Sequence, residues 1–317
     1  MLVLTRADVE RLLDLDALVD ALADAHVQLS NGKVSMPPRI AAQVDEREAL
    51  LGAMPSYVPE RALACKLVTL FPQNTDRHTH QAVICVFDHG NGTPLALMDG
   101  TYITATRTAA GSALATRLLA REDARVLAIL GTGVQARSHA HALTRVRDFE
   151  EVRIAGRDPT KVQALADELR AHAAGSYEDA LRGADVVAAT THTVDAIVRR
   201  EWLAPGVHVN SVGLNPQGRE VDEATVAEAR LAVESRASSF AAPPAGAPEL
   251  VGVPSDDAVE LGELVAGTRP GRATPDEITL YKSVGVAVQD AAAAALVLAS
   301  AQKQGMGREI ELEDVTG

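Results

Sequence analysis

The chain has 317 residues, 47% apolar and 23% charged, a composition that supports two domains with cores of their own and excludes a disordered polypeptide. Its 30 basic and 43 acidic residues give a net charge of −13, which argues against a nucleic-acid or anionic-membrane surface while allowing a small local anion site. The longest apolar run (291–299) cannot span a bilayer, MLVLTRADVERLL has acids where a signal peptide needs an apolar core, and Cys65 and Cys85 lack ligand spacing, so a cytoplasmic protein with reduced thiols is expected.

Thr5-Arg6-Ala7-Asp8 has the form of a capping box, and Leu12, Leu13, Leu15, Leu18, Val19, Leu22 and Ala25 follow at helical spacing as far as Asn31-Gly32, predicting one opening helix. The prolines of MPPRI (36–40) exclude a helix there and deliver Arg39 from a strand or loop. ALACKLVTLF (62–71), QAVICVFDH (81–89) and TPLALMDG (93–100) read as strands, with Gly90-Asn91-Gly92 as the hairpin turn. The first third is thus a helix plus a largely antiparallel sheet. TATRTAAGSALATRLLA (104–120) predicts a helix capped by Thr104, Thr106 or Thr108, with Arg107 in its first turn. A helix start carries partial positive charge, so a cation there implies a negative third party.

From here the rhythm changes. ARVLAIL (124–130), EVRIAG (151–156), DVVAATT (185–191), VHVNSVG (207–213) and LAVES (231–235) are short strands alternating with helices, among them SHAHALTRV and 159–173. This alternation predicts an α/β fold with a doubly wound parallel sheet. The Pro- and Ala-rich 238–257 segment reads as a surface loop, and AVQDAAAAALVLASAQKQ as a last helix whose small side chains allow close packing.

The first strand of this region runs into Gly131-Thr132-Gly133-Val134-Gln135-Ala136 and then a helix, the context that makes G-x-G-x-x-A a dinucleotide loop. Gly131 makes the tight turn, Gly133 admits a pyrophosphate to the backbone, and Ala136 lets the helix pack closely. The second strand ends Gly156-Arg157-Asp158, with Lys161 close behind. Arg157 and Lys161 would pair with a 2′-phosphate and favour NADP(H); Asp158 would favour NAD(H), unless it merely pairs with Arg157 on the surface.

Lys66 stands inside an apolar strand, an unfavourable place for an ammonium unless it faces a polar cleft. With Arg39 and Arg107 it forms a candidate ligand set, each with a plainer alternative: Lys66 snorkelling, Arg39 solvated, Arg107 paired with an acid such as Asp99. The pairs His78/His80 and His139/His141 have no third ligand nearby, and no metal is expected.

PPRI, CKLVTLFPQN, DGTYITATRTAAGSALATRLLA, ILGTGVQA, NSVGLNPQGRE and YKSVGVAVQDAAAA, in order from about 36 to 295, together resemble the ornithine cyclodeaminase and mu-crystallin family. The resemblance implies a homodimer and a Rossmann domain (116–289) inserted into a smaller α+β substrate and dimerisation domain built from both chain ends (1–115 and 290–317). It further implies that Arg39, Lys66 and Arg107 hold a substrate carboxylate, with Lys66 near the reacting carbon and nitrogen. The cofactor would lie against Gly131, Thr132, Gly133, Val134 and Gln135, against Thr190 and Thr191, and against Val212, Gly213, Ser283 and Gly285. Where cyclodeaminases and the archaeal alanine dehydrogenase relatives carry an aspartate after the NSVG-like strand, this chain has Asn215, which cannot accept a proton at neutral pH. The expected activity is therefore NAD(P)H-dependent reduction of a small cyclic imine carboxylate, such as Δ1-pyrroline-2-carboxylate or Δ1-piperideine-2-carboxylate, to the L-imino acid, with Asn215 orienting the ring or a water. Its rivals are ornithine cyclodeamination, an alanine dehydrogenase-like reaction, and non-enzymatic binding of cofactor and a small acid. An aromatic content of 3% offers little to an aromatic ligand in the last case.

Overall fold

The computed structural model describes residues 1–312, so the end of the expected C-terminal segment, 313–317, lies outside the described residues. In chain order the elements are β1 (Leu2–Leu4), α1 (Arg6–Leu12), α2 (Leu15–Ser30), β2 (Ile40–Val44), β3 (Ala49–Val58), β4 (Ala62–Leu70), β5 (His80–Phe87), β6 (Pro94–Asp99) and α3 (Gly100–Leu119). There follow β7 (Val126–Leu130), α4 (Val134–Leu143), β8 (Glu151–Ala155), α5 (Pro159–Leu169), β9 (His172–Ala173), α6 (Tyr177–Leu181), β10 (Val186–Ala189), β11 (His208–Ser211), α7 (Glu223–Glu228) and β12 (Arg230–Val233). The chain ends with α8 (Arg236–Ser239), β13 (Val259–Glu260), α9 (Leu261–Ala266), β14 (Thr279–Lys282), α10 (Ala287–Gln304) and β15 (Arg308–Glu309). Two compact units result, Met1–Arg107 with the chain from Val286 onward, and Thr108–Gly285. Their limits fall within α3, at 107/108 where 115/116 was expected, and just ahead of α10, at 285/286 where 289/290 was expected.

The first unit is a seven-stranded sheet in the order β15-β1-β6-β5-β4-β3-β2, antiparallel except where β1 runs parallel to β6. On one face lies α10, packed on β3, β4, β5 and α2; Ala291 to Ala294 are all buried, and their lack of bulk is what lets helix and sheet approach. Three sequence expectations need correction here. The opening helix is two helices, because Asp14 caps a new start by accepting from the Ala17 N–H at 2.8 Å, while the capping box at Thr5 serves only α1. The helix expected from 104 begins at Gly100, capped by Asp99, whose carboxylate accepts from the Tyr102 N–H at 2.7 Å. Arg107 is consequently two turns in, and Thr104 bonds back to the Gly100 carbonyl instead of capping.

In the second unit eight parallel strands run in the order β13-β12-β14-β11-β10-β7-β8-β9. From β7 the chain winds outward first through β8 and β9, then restarts on the other side with β10 and β11. The order reverses between β7 and β10, whose carboxyl ends therefore flank the crevice where open α/β sheets bind ligands. The 238–257 segment departs from a plain surface loop: Ser239, Ala247, Glu249 and Leu250 are buried, and Ala247 and Leu250 join the core under β10, β11 and β12. Among the described residues no helix is long and apolar enough to cross a membrane.

Candidate functional site

In β4 the even-numbered residues Ala64, Lys66 and Val68 face inward, which puts the Lys66 side chain under α10 with 2% of it exposed. Its Nζ lies 2.7 Å from Asp290 Oδ2. Arg107 donates Nε to Asp290 Oδ1 at 2.9 Å and Nη1 to Gln289 Oε1 at 3.0 Å. The negative partner of Arg107 is thus Asp290 in the first turn of α10 and not Asp99, whose carboxylate is engaged at the start of α3. Arg39, exposed just before β2, adds a third positive charge that acts on Lys66.

Burial pushes the Lys66 ammonium down to about 8; Asp290 opposes the shift and the Arg107 and Arg39 charges add to it. Burial alone would raise the Asp290 carboxyl, but Arg107 and Lys66 outweigh it and hold the group below the usual aspartate value. Two buried cations against one buried anion leave one positive charge uncompensated, a situation that costs stability until an anion arrives.

His80, weighed in the sequence only as a metal ligand, joins this face. It pairs with Leu70 across β4 and β5, in register with Val68–Ala82 and Lys66–Ile84. It heads β5 at an exposed position, yet the atoms around its ring, and then the charges of Lys66 and Arg107, lower it to about 4, so it is neutral at physiological pH. Among the described residues no group of three or more His, Cys, Asp or Glu is placed to hold a metal. His139 is instead buried within the second unit, its Nδ1 donating to the Gln135 carbonyl at 2.8 Å and its Nε2 accepting from Ser112 Oγ at 2.9 Å.

The dinucleotide loop has the shape its sequence requires. Gly131 has φ +121°, and a Cβ there would lie 2.7 Å from Thr190 Oγ1, so only glycine fits between the ends of β7 and β10. Gly133 caps α4 without a side-chain acceptor, nothing lies within 4 Å of where its Cβ would be, and Ala136 is fully buried. The first N–H groups of α4 are therefore presented without a side-chain cap, as a pyrophosphate needs. Thr132 packs beside Gly156, and Val134 is exposed. At the tip of β8, Asp158 does not pair with Arg157 as the plain reading had it. Its carboxylate caps α5 through the N–H groups of Thr160 and Lys161, with Lys161 Nζ 3.9 Å away. Arg157 and Lys161 are exposed.

Several other expected cofactor residues are bound to buried carboxylates that the sequence reading missed. Glu220 accepts from Thr191 N at 2.6 Å, Thr191 Oγ1 at 2.8 Å, Ser211 Oγ at 2.8 Å and Gly213 N at 2.9 Å, joining the ends of β10 and β11 beside Val212. Glu234 accepts from Ser283 Oγ at 2.6 Å and from the Val284 and Gly285 N–H groups at 3.0 Å. Behind Glu220, Lys282 donates to Glu249 at 2.9 Å and to Ser211 Oγ at 3.1 Å. Thr190 donates to the Leu130 carbonyl. Asn215 is half-buried in the turn after β11, its Oδ1 accepting from the Gln217 N–H at 3.0 Å. Asp290 and Lys282 did carry a signal: each interrupts a small or apolar run, as Lys66 does, and a buried ion requires a partner.

Known proteins share this whole architecture. The profile of the ornithine cyclodeaminase/mu-crystallin family matches residues 1–305. The ketimine reductase mu-crystallin of Mus musculus is 40% identical over 273 residues, 84% of this chain and 85% of its own. The Δ1-pyrroline-2-carboxylate reductase of Thermococcus litoralis, solved in complex with NADH and L-proline, superposes with a TM-score of 0.91 at 34% identity, covering 98% of this chain and 100% of the reductase. An archaeal alanine dehydrogenase dimer with bound NAD gives a TM-score of 0.91 at 29% identity, with 99% of each chain covered. The chain belongs to the ornithine cyclodeaminase/mu-crystallin family.

Proposed function

We propose that this protein is an NAD(P)H-dependent reductase of a small cyclic imine bearing one carboxylate, Δ1-pyrroline-2-carboxylate or Δ1-piperideine-2-carboxylate, giving the L-imino acid. The observation that carries the reading is the buried Lys66–Asp290–Arg107 cluster with its single uncompensated positive charge, which calls for a monoanion. Arg107 and Arg39 hold the substrate carboxylate and so fix the imine carbon beside it. Lys66 hydrogen-bonds the imine nitrogen and delivers a proton to it, which makes the C=N carbon a better hydride acceptor; an ammonium near pKa 8 is suited to that transfer. When bound, the nicotinamide cofactor supplies the hydride. The residues that would hold it are Gly131 to Gln135 and the strand ends tied by Glu220 and Glu234, and the uncapped start of α4 fits its pyrophosphate. Asn215 orients the ring or a water; as an amide it cannot remove the proton that cyclodeamination requires. Exposed Arg157 and Lys161, beside an Asp158 engaged in capping, support NADP(H) over NAD(H).

A homodimer is part of the proposal. On the sheet face opposite Lys66, Ile40, Ala53, Leu67 and Val83 pair in one row across four strands, with Leu51 beside them; Ile40 is 69% exposed, and Leu51, Leu67 and Val83 are also exposed. So contiguous an apolar face suits a second copy of the sheet. Cys65 and Cys85 are register partners across β4 and β5, and a reducing, cytoplasmic compartment that keeps them as thiols is part of the same proposal. The test is oxidation of NADPH and NADH, followed by absorbance, with each cyclic imine and with ornithine. Steady oxidation with an imine supports the reductase. Ammonia release from ornithine without net cofactor change refutes it.

A further inference from the structure

The side of the cation pair turned toward α10 is built as carefully as a ligand site, from residues outside the expected set. Gln289 and Asp290 are neighbours in the first turn of α10, where a carboxylate is also favoured by the helix dipole. Asp290 forms an ion pair with Lys66 through one oxygen and accepts from Arg107 Nε through the other, and Gln289 accepts from Arg107 Nη1. Guanidinium nitrogens only donate, so Gln289 must turn its oxygen to Arg107 and its Nε2 to His26 Nε2, 3.0 Å away on α2. That ring nitrogen must then accept the Gln289 amide proton. Every orientation in the series from α2 to Arg107 is determined. Nη2 is the guanidinium nitrogen that neither Asp290 nor Gln289 uses.

We propose that Asp290, with Gln289, is a positioning residue for imine reduction: acting through its neighbours, it holds Lys66 as an ammonium and Arg107 in the one orientation that offers Nη2 to the substrate carboxylate. The assignment rests on the imine-reductase reading for its chemical meaning, but the proton equilibrium of Lys66 can be read without any catalysis. The charged groups acting on Lys66 are Asp290 from α10, Arg107 from α3 and Arg39 from ahead of β2, with neutral His80 on β5 near by; β3 presents Met54 and Ser56 to this face, neither of which titrates near neutrality. Asp290 is thus the single anion among these groups. Without it, two cations adjoin in a low-dielectric site and Lys66 is the one that can shed its proton.

The experiment is a pH titration of the lysine Cε and Nζ resonances in isotope-labelled full-length protein without substrate. Only five lysines are present (33, 66, 161, 282 and 303), and the Lys66 signal is assigned by its loss in Lys66→Arg. The expected midpoint is near 8 in the wild type, about one pH unit or more lower in Asp290→Asn, and largely restored in Asp290→Glu. The alkaline limb of kcat/KM for imine reduction should move with it. An unchanged Lys66 midpoint in folded Asp290→Asn overturns the proposal. Gln289→Leu tests the other half and serves also if Asp290→Asn does not fold: KM for the imine carboxylate should rise about tenfold or more with the Lys66 midpoint unmoved, and an unchanged KM overturns the proposal as well. If the wild type reduces no imine while the Lys66 midpoint still falls in Asp290→Asn, it is the activity reading that fails and the control of Lys66 by Asp290 that stands.

Discussion

Replacing Glu220 by Gln is a nearly isosteric change with a calculable cost. The carboxylate receives four donors, two on each oxygen: Thr191 N and Oγ1 on one, Ser211 Oγ and Gly213 N on the other. An amide can turn its oxygen to either side, and in both orientations its NH2 faces a backbone N–H that cannot reverse. One buried donor is left unsatisfied, at about 1–3 kcal/mol, and the two bonds retained lose their charge assistance, at roughly 0.5–1 kcal/mol each. The sum is about 2–5 kcal/mol. Glu220→Ala orphans both backbone donors and should cost about 2–6 kcal/mol on the same scale. Trp202 is the sole tryptophan and lies in the second unit, so its emission during urea denaturation follows that unit. A Glu220→Gln protein within about 0.5 kcal/mol of the wild type would show that these four bonds do not hold the strand ends as argued, since even the low end of the sum lies above that limit.

Gly131→Ala forces a side chain into a positive-φ position 2.7 Å from Thr190 Oγ1, and NADH affinity measured by fluorescence titration should fall about tenfold or more. Arg107→Lys cannot bond Asp290 and Gln289 while also reaching the substrate; KM for the imine should rise about 10- to 100-fold, and an unchanged KM removes Arg107 from the site. With Lys66 as the proposed proton donor and its pKa lowered to about 8 by burial, kcat/KM should be level below that pH and fall above it; a profile flat to pH 10 would exclude Lys66 as the proton donor. Lys66→Met removes an ammonium that the fold disfavours and leaves Arg107 and Asp290 as a neutral pair, so it should abolish reduction and leave stability at pH 7 equal or up to about 3 kcal/mol higher by circular dichroism. The sign follows from linkage: the folded pKa lies below the unfolded one, so the unfavourable contribution is complete below about 8 and fades as pH rises to 10.5.

The parallel sheet and the dinucleotide loop were legible because both are local patterns: short apolar strands at regular intervals, and glycines placed where one strand meets one helix. Lys66 was legible as an ion inside an apolar strand. What it pairs with was not, since Asp290 lies 183 residues from Arg107 and returns to the first unit only after the whole second unit has been threaded. Strand β3 escaped notice because Pro55 sits in its middle. It is tolerated there because β2 pairs only as far as Ala53, leaving the proline where no β2 acceptor awaits an N–H. The break at Asp14 was hidden by apolar spacing that continues through Leu12, Leu13 and Leu15, so the capping aspartate was the better guide than the periodicity. The buried glutamates are least visible of all: nothing in a local window separates Glu220, which closes on backbone N–H groups of two strand ends, from an exposed acid.

An anionic substrate approaching a protein of net charge −13 meets opposing fields, and magnitudes decide between them. Surface carboxylates act through water and salt, where a pair of charges 4 Å apart is worth about 1 kcal/mol and anything beyond about 8 Å is screened away. Arg107 and Lys66 are 4% and 2% exposed, and a charge at contact distance in such surroundings interacts several-fold more strongly and is scarcely screened. The local pair therefore prevails over the global excess, and it does so because it is buried. The same burial makes Lys66 unfavourable to the fold and brings its pKa into the range of proton transfer. Asp290 limits both effects without cancelling the positive charge, since one carboxylate shared between two cations leaves one charge over for the substrate carboxylate proposed to bind there.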